Sequence, residues 1–368
     1  MKTWVEISKN SLKNNISQFQ KLIGDKVKLM AVVKANAYGH GLIEVAKIAV
    51  RNRADWLGVD SVDEAIELRK AGIKAPILIM GYTPLSRLED VAKYDFRQVV
   101  YNKETIEKLK RGRVHLKVET GTSRQGLEKE ELLELAKFIK KYPQIEIEGI
   151  YTHYANIEDT TDHSYAQEQL KKFKESVELL KKNGIEIPIK HTACSAAIIL
   201  FPETYFDMVR LGISMYGFWP SKETFVSARE NKRQINLAPV LTWKTLVAQI
   251  KNIKAGTPIS YGLTEKISQD SKIAILPVGY FDGYDRKLSG VGNVLIKGKR
   301  CKVLGRVCMN MIIADVSHIP DVKLEDEVVL LGKQGVEQIT ADELAQKIGT
   351  INYEVVARIN PLIPRIVV

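Results

Sequence analysis

Two textures of hydrophobic and polar positions divide the chain. From about residue 28 to 217, short apolar runs alternate with amphipathic stretches whose apolar positions recur at helical spacing. The runs at 29–34, 55–59, 76–80, 97–101, 114–119, 145–151, 187–191 and 206–210 read as strands. The stretches between them read as helices, one opened by Ser61 with Glu64 three residues on, the pattern of a capping box. Strict alternation of strands with helices points to a parallel sheet. Eight such units predict an α/β fold with a closed, TIM-like (β/α)8 barrel. A doubly wound sheet is the alternative that periodicity alone leaves open.

A charged stretch at 227–236 ends this regime. Beyond it, 241–247, 272–278, 293–297, 302–307 and 328–331 are β-like and separated by glycine turns, with Lys297-Gly298-Lys299 at a hairpin tip. Only one helix stands out there, opened by Thr340 with Glu343 as the second member of its capping box. The expectation is therefore two domains, a barrel over 1–236 and a mostly β domain over 237–368.

Composition changes this picture little. A chain of 368 residues, 45% hydrophobic and 27% charged, can bury a core without disulfide or metal staples. Cys194, Cys301 and Cys308 are too scattered for a disulfide framework or a structural zinc, so no metal and a cytoplasmic location are expected. The N-terminus lacks a signal-peptide core, and no apolar run could span a bilayer. The net charge of +11 raises the question of an anionic partner. The lysines, however, lie beside glutamates on helix-like stretches, as in Lys171-Lys-Phe-Lys-Glu175, and no basic run is interleaved with aromatics. Neither nucleic acid nor a membrane is expected as a partner.

The candidate chemistry starts at Lys34, which ends the apolar run 29–33. Strand C-termini form the active face of a barrel, and a lysine desolvated there can form a Schiff base. A lone lysine would more simply snorkel out of the strand end. The Tyr38-Gly-His-Gly41 loop that follows lets backbone approach an anion and favours the chemical reading.

Val33-Lys34-Ala-Asn-Ala-Tyr38-Gly-His-Gly41 resembles the cofactor-lysine motif of the alanine racemase family. The resemblance implies that Lys34 holds pyridoxal 5′-phosphate (PLP) and is the base on one face of the substrate, with the Tyr38 hydroxyl on the phosphate. It extends through nearly the whole chain. His115-Leu-Lys117-Val-Glu-Thr-Gly121-Thr-Ser-Arg124-Gln-Gly126 is similar to a family segment that implies Arg124 on the cofactor's phenolic oxygen and the substrate side, and a carbamylated Lys117. Independently, Lys117 is either an unpaired charge inside the barrel, which is costly, or points outward between helices. Gly149-Ile-Tyr-Thr-His153 implies a histidine against the cofactor ring. His191-Thr-Ala-Cys-Ser195 and Asp207-Met-Val-Arg210-Leu-Gly212-Ile213 imply phosphate contacts from Ser195 and the Gly212 and Ile213 amides, and Arg210 facing the pyridine nitrogen. An arginine cannot lend that nitrogen a proton, which disfavours transamination and suits racemisation.

In the β domain, Pro258-Ile-Ser-Tyr261-Gly262 resembles the motif of the second base. Racemisation takes a proton from one face and returns it on the other, so Lys34 alone does not suffice. By the same resemblance Tyr280 and Arg286 belong to the substrate-access corridor, and the Met309 backbone meets the substrate carboxylate. Tyr353, in Thr350-Ile-Asn-Tyr353-Glu354, contacts phosphate and narrows the pocket. The chain departs from the family pattern at Cys194 (usually asparagine), Thr122-Ser123 (Met-Gly), Leu211 (proline) and Asn310 (aspartate). What the resemblance implies overall is a homodimeric isomerase that interconverts L- and D-alanine by a two-base mechanism. It would supply D-alanine for peptidoglycan, with the β domain of one subunit completing the site of the other. A racemase of the same fold acting on serine or a broader set is the alternative, and Asn310 bears on it.

Overall fold

The computed structural model describes all 368 residues, which group into two compact units. One comprises Asn10–Ala37 and Val45–Ala238; the other comprises Met1–Lys9, Tyr38–Glu44 and Pro239–Val368. The opening strand, β1 (Thr3–Ile7), belongs to the second.

The first unit holds eight parallel strands: β2 (Lys28–Val32), β3 (Trp56–Val59), β4 (Ile77–Ile79), β5 (Arg97–Val100), β6 (Gly112–Lys117), β7 (Ile145–Tyr151), β8 (Ile189–His191) and β9 (Met208–Leu211). Every apolar run read as a barrel strand is one, with small shifts at the ends. Their hydrogen-bonded order is β8-β7-β6-β5-β4-β3-β2-β9. The ring closes where the Asp207 N–H donates to the Lys190 carbonyl at 3.1 Å and the Arg210 N–H to the Ala193 carbonyl at 2.9 Å. This closure selects the barrel over the doubly wound sheet. Strands β3, β4, β5 and β9 are buried at every position, as the crossover helices require. Helix Ser164–Lys182, for example, buries Ala166, Leu170, Phe173 and Leu180 on one stripe. Ser61 and Asn102 cap their helices by accepting from the Glu64 and Thr105 N–H groups, each worth about 1 kcal/mol.

Inside the barrel, Met30, Trp56, Leu78, Val99, Tyr151, Ile189 and Met208 pack into one cluster, drawn from every strand but β6. Strand β6 contributes instead His115, fully buried, with its ring centroid 5.5 Å from that of Trp56. A polar side chain in this position is the first sign that the barrel interior carries more than packing.

The second unit is built from β1, β10 (Leu241–Leu246), β11 (Gln249–Ile253), β12 (Pro258–Ile259), β13 (Glu265–Lys266), β14 (Ser271–Leu276), β15 (Asn293–Ile296), β16 (Lys299–Leu304), β17 (Ile312–Asp315), β18 (Glu327–Gln334), β19 (Glu337–Ile339) and β20 (Arg365–Val367). Its main sheet runs β11-β14-β17-β16-β15-β18-β10-β1-β20, with β19 beside β18 and β12–β13 as a separate pair. The sequence reading put residues 1–9 with the barrel. Strand β1 instead pairs antiparallel with β10, Ile7 opposite Leu241, and parallel with β20, Val5 opposite Arg365. Two helices, not one, accompany the sheet: Ala341–Ile348, capped by Thr340 as expected, and the short Asn352–Ala357. The second carries adjacent valines, which weaken a helical signature. No helix of either unit is long and apolar enough to cross a membrane.

Candidate active site

Lys34 follows β2 at the C-terminal mouth of the barrel, half-buried, its Nζ 3.6 Å from Asp60 Oδ1 just beyond β3. The chain then does something L-residues rarely do. Ala35, Asn36, Ala37 and Tyr38 all take left-handed φ of 52–54°, and only the fifth residue, Gly39, is a glycine. Each such residue costs roughly 1–2 kcal/mol, so the turn must be held from outside. The Ala37 N–H donates to the Val33 carbonyl at 2.8 Å. The Glu64 carboxylate accepts from the Asn36 N–H at 3.3 Å and the Asp60 N–H at 2.9 Å, tying the ends of β2 and β3 together. The turn delivers Tyr38 to a point where its ring centroid lies 6.1 Å from that of Tyr353. Gly39 is obligatory, because a Cβ there would collide with the Val356 carbonyl.

Four more cationic or imidazole side chains gather at the same strand ends. Lys117 closes β6, 3% exposed, with Nζ 4.2 Å from the Tyr151 ring and no carboxylate partner. It points inward, and burial, then Arg210 and Arg124, push its amine well below the ordinary lysine range. His153, just past β7, is pushed well below the ordinary histidine range by burial and by Arg210, Lys117, Arg124 and Lys34. Arg210, Lys117, Arg124 and Lys34 therefore all lie near enough to act on His153. Arg210, in β9, is buried. Its NH1 donates to His191 Nδ1 at 2.9 Å and the His191 carbonyl at 3.0 Å. Its NH2 donates to the carbonyls of Thr152 at 2.8 Å and Thr192 at 2.9 Å, and reaches His153 Nδ1 at 3.3 Å. No acid lies among these partners. Arg124 sits on an exposed loop organised by Glu119, whose carboxylate accepts from the Gly121, Thr122 and Arg124 N–H groups.

Between the ends of β8 and β9 lies a cradle of hydroxyl and amide groups. Ser195 Oγ accepts from the Gly212 N–H at 3.0 Å and the Ser214 N–H at 3.4 Å. Ser214, which the sequence reading passed over, is fully buried and its hydroxyl has no hydrogen-bond partner. Buried polar groups are almost always satisfied, so an orphan beside Ser195, Gly212 and Ile213 suits a ligand oxyanion that completes the set. These donors fit the phosphate of PLP, and Lys34 at the same mouth fits its carbonyl chemistry.

The second unit presents the remaining candidates. Tyr261 occupies a short turn after β12 and is 73% exposed. Tyr280 and Met309 are exposed and adjacent, their loops joined by Tyr280 N–H to Cys308 carbonyl and Phe281 N–H to Met309 carbonyl, each 3.0 Å. Arg286 lines a surface pocket with Thr264, Lys287, Ser289 and Arg306. Sequence reasoning missed Asp60, Glu64, Glu119 and Ser214. Asp60 had a legible signal, an acid placed directly after an apolar strand; Glu64 stood out only as a capping residue, Glu119 acts on backbone N–H groups that leave no signal, and the Ser214 hydroxyl shows itself only by its burial.

Comparison with known proteins bears on the family of the chain. Residues 7–220 match the family model described as alanine racemase, N-terminal domain, and residues 240–367 the alanine racemase, C-terminal domain. The chain is 44% identical to the alanine racemase of Halothermothrix orenii over 371 residues, 99% of this chain and 96% of that protein. It is also 44% identical to the alanine racemase of Methanococcus maripaludis over 372 residues, 99% of this chain and 98% of that one. The crystal structure of alanine racemase from Bacillus anthracis with bound L-Ala-P superposes with a TM-score of 0.94 at 37% identity, covering 100% of this chain and 95% of that one.

Proposed function

The chain belongs to the alanine racemase family of isomerases, and we propose that it interconverts L-alanine and D-alanine with PLP attached to Lys34. The observation that carries this reading is the setting of Arg210. Its terminal nitrogens are committed to carbonyls and imidazoles, and no carboxylate is near enough to share a proton with a ligand nitrogen. Bound PLP supplies an electron sink that makes the substrate's α-hydrogen acidic. Arg210, a donor that does not release its proton, keeps that sink moderate and leaves the α-carbon as the site of reprotonation.

The other roles are those that the family resemblance implies. Ser195, the Gly212 and Ile213 amides, Tyr38 and Tyr353 hold the phosphate, with Ser214 as an added donor. Lys34 exchanges a proton on one face of the α-carbon and Tyr261 on the other, and His153 carries charge between Tyr261 and Arg210. Arg124 holds the anionic side of cofactor and substrate. Lys117, whose amine burial and Arg210 hold well below the ordinary lysine range, adds carbon dioxide through its free-base form and releases a proton, which leaves a carbamate that anchors Arg124. Tyr280 and Arg286 line the access corridor, and the Met309 backbone meets the substrate carboxylate. In a homodimer the β domain of a second copy brings Tyr261, Tyr280 and Met309 to the barrel; exposed Tyr261, Phe281, Met309 and Met311 suit such burial. The enzyme works in the cytoplasm and supplies D-alanine for peptidoglycan.

The test is direct. Purified protein with PLP and L-alanine should yield D-alanine on a chiral column, and borohydride should fix the cofactor to Lys34 by peptide mapping. No D-alanine, or label on another lysine, would overturn the reading. Faster turnover of L-serine in the same assay would favour the broader racemase that Asn310 leaves open.

A further inference from the structure

Glu148, half-buried, and His115, fully buried, are titratable residues for which the reaction above has no use, yet they are built with unusual care. Strands β6 and β7 pair in register up to Val114 opposite Ile147, and then His115 lies opposite Gly149. Glu148 is therefore the extra residue of a β-bulge, a device that re-aims a side chain beside functional sites. Gly149 is bare because a Cβ would strike the His115 ring. The bulge and the glycine together bring the Glu148 carboxylate to His115 Nε2 at 3.4 Å. The groups facing that carboxylate are His115, Arg97 with Nε at 3.0 Å, and Arg113 with NH1 at 3.7 Å. From His115 the contacts continue inward: His115 Nδ1 lies 2.8 Å from His191 Nε2, and His191 Nδ1 lies 2.9 Å from Arg210 NH1.

The protons in this chain can be assigned from either end. Arg210 only donates, so His191 Nδ1 carries a lone pair and His191 Nε2 the hydrogen. His115 Nδ1 must then accept, and His115 Nε2 carries the hydrogen that goes to Glu148. Starting from Glu148, an anion that only accepts, gives the same order. Both imidazoles are uncharged: burial lowers His115 despite Glu148, and burial and Arg210 lower His191 further. Any reversal sets two donors against each other at Arg210 or two acceptors against each other at Glu148.

We propose that Glu148 and His115 are positioning residues that lock the tautomer of His191 and so hold Arg210 in its donor orientation. Arg210 has no carboxylate of its own. Glu148 supplies one at the far end of two imidazoles, close enough to polarise the chain and too far to take the Arg210 proton. The effect on turnover rests on the reading that Arg210 faces the cofactor ring; the tautomer order is a property of the barrel alone.

Six histidines make the protein suited to selective ¹⁵N-histidine labelling of the holoenzyme. In the parent, His115 and His191 should each show a protonated Nε2 and a lone-pair Nδ1. Glu148→Gln keeps an acceptor oxygen but removes the charge, and should mix the His115 tautomers. His115→Phe leaves the Glu148–Arg97 pair intact and should release His191 into a second tautomer. Both should lower kcat about 10-fold or more with KM little changed, the usual scale for losing an outer hydrogen-bond partner of a site. A protonated Nδ1 on His191 in the parent overturns the proposal without any variant. So does His115→Phe with parental His191 signals and parental kcat. A parent that shows the expected tautomers but does not racemise alanine would count against the functional reading and in favour of this chain.

Discussion

Replacing Lys117 by methionine gives the sharpest test of the charge arrangement in the barrel. The amine is 3% exposed, 4.2 Å from an aromatic ring, and pushed well below the ordinary lysine range by burial and by Arg210 and Arg124. An unfolded lysine titrates near 10.4. Between the lowered native pKa and that value, the unfolded chain holds one more proton than the native protein. Stability must then rise with pH, by about 1.4 kcal/mol per unit from this residue alone. The sign makes Lys117 a penalty that is complete below its native pKa and removed as pH climbs toward the unfolded value. Methionine fills similar space and does not titrate. In carbon-dioxide-free buffer the parent should therefore gain on Lys117→Met by about 1.4 kcal/mol per pH unit, or about 2 °C in Tm for a chain of this length. Paired thermal melts from about pH 7 to about pH 9, at fixed protein and PLP concentration, read the difference. Bicarbonate should raise the parent across that window without flattening the slope, since a carbamate forms only on the native free amine, leaves the native state still one proton short of the unfolded chain, and is held by its cationic neighbours. Parallel curves without bicarbonate would mean that native Lys117 keeps its proton, and carbamylation would then have no free amine to act on.

Two further substitutions address the reaction itself. Tyr261→Phe keeps the ring and removes the proton acceptor, so racemisation should fall about 10²–10⁴-fold while the α-hydrogen of D-alanine still exchanges in heavy water through Lys34. Equal residual exchange from both enantiomers would remove Tyr261 from the role. Arg210→Glu places a carboxylic acid where the guanidinium was, so alanine should begin to yield pyruvate as racemisation slows. The Thr152, His191 and Thr192 carbonyls also lose their donor, so the melting temperature should drop by an amount consistent with about 1–3 kcal/mol per stranded group.

The barrel was legible because its information is local. Eight apolar runs separated by amphipathic stretches announce parallel strands, and Lys34, Lys117, His153 and Arg210 sit at or near the ends of them. What was illegible is non-local or carried by backbone. Strand β1 alternates Thr3, Val5 and Ile7 inward, yet its partners lie more than two hundred residues away, and five residues set no register by themselves. The bulge at Glu148 is invisible in Ile145-Glu-Ile-Glu-Gly-Ile150, where simple alternation would send both glutamates to one face. Ser214 follows two residues whose backbone amides were expected to bind, and only its burial without a partner reveals that its side chain belongs with them.

Several features that cost the protein stability are gathered at one end of the barrel. Four consecutive left-handed residues after Lys34, an orphaned hydroxyl at Ser214, and a buried Lys117 and Arg210 without acids of their own are each unfavourable in the free chain. A ligand that carries a phosphate, an acidic phenol and a ring nitrogen with a lone pair relieves three of these terms at once. On the proposed reading, the phosphate would meet the Ser195–Ser214 cradle, the phenolate would offset the cations, and the nitrogen would accept from Arg210. Binding and folding are then thermodynamically linked, because whatever binds only the native state stabilises it by mass action. The left-handed turn is the exception, since no ligand group relieves a backbone torsion. Its cost is met by Glu64, which binds the amides of Asn36 and Asp60 together. That division explains why the turn is tied to the scaffold by a fixed carboxylate while the cations beside it are left without one.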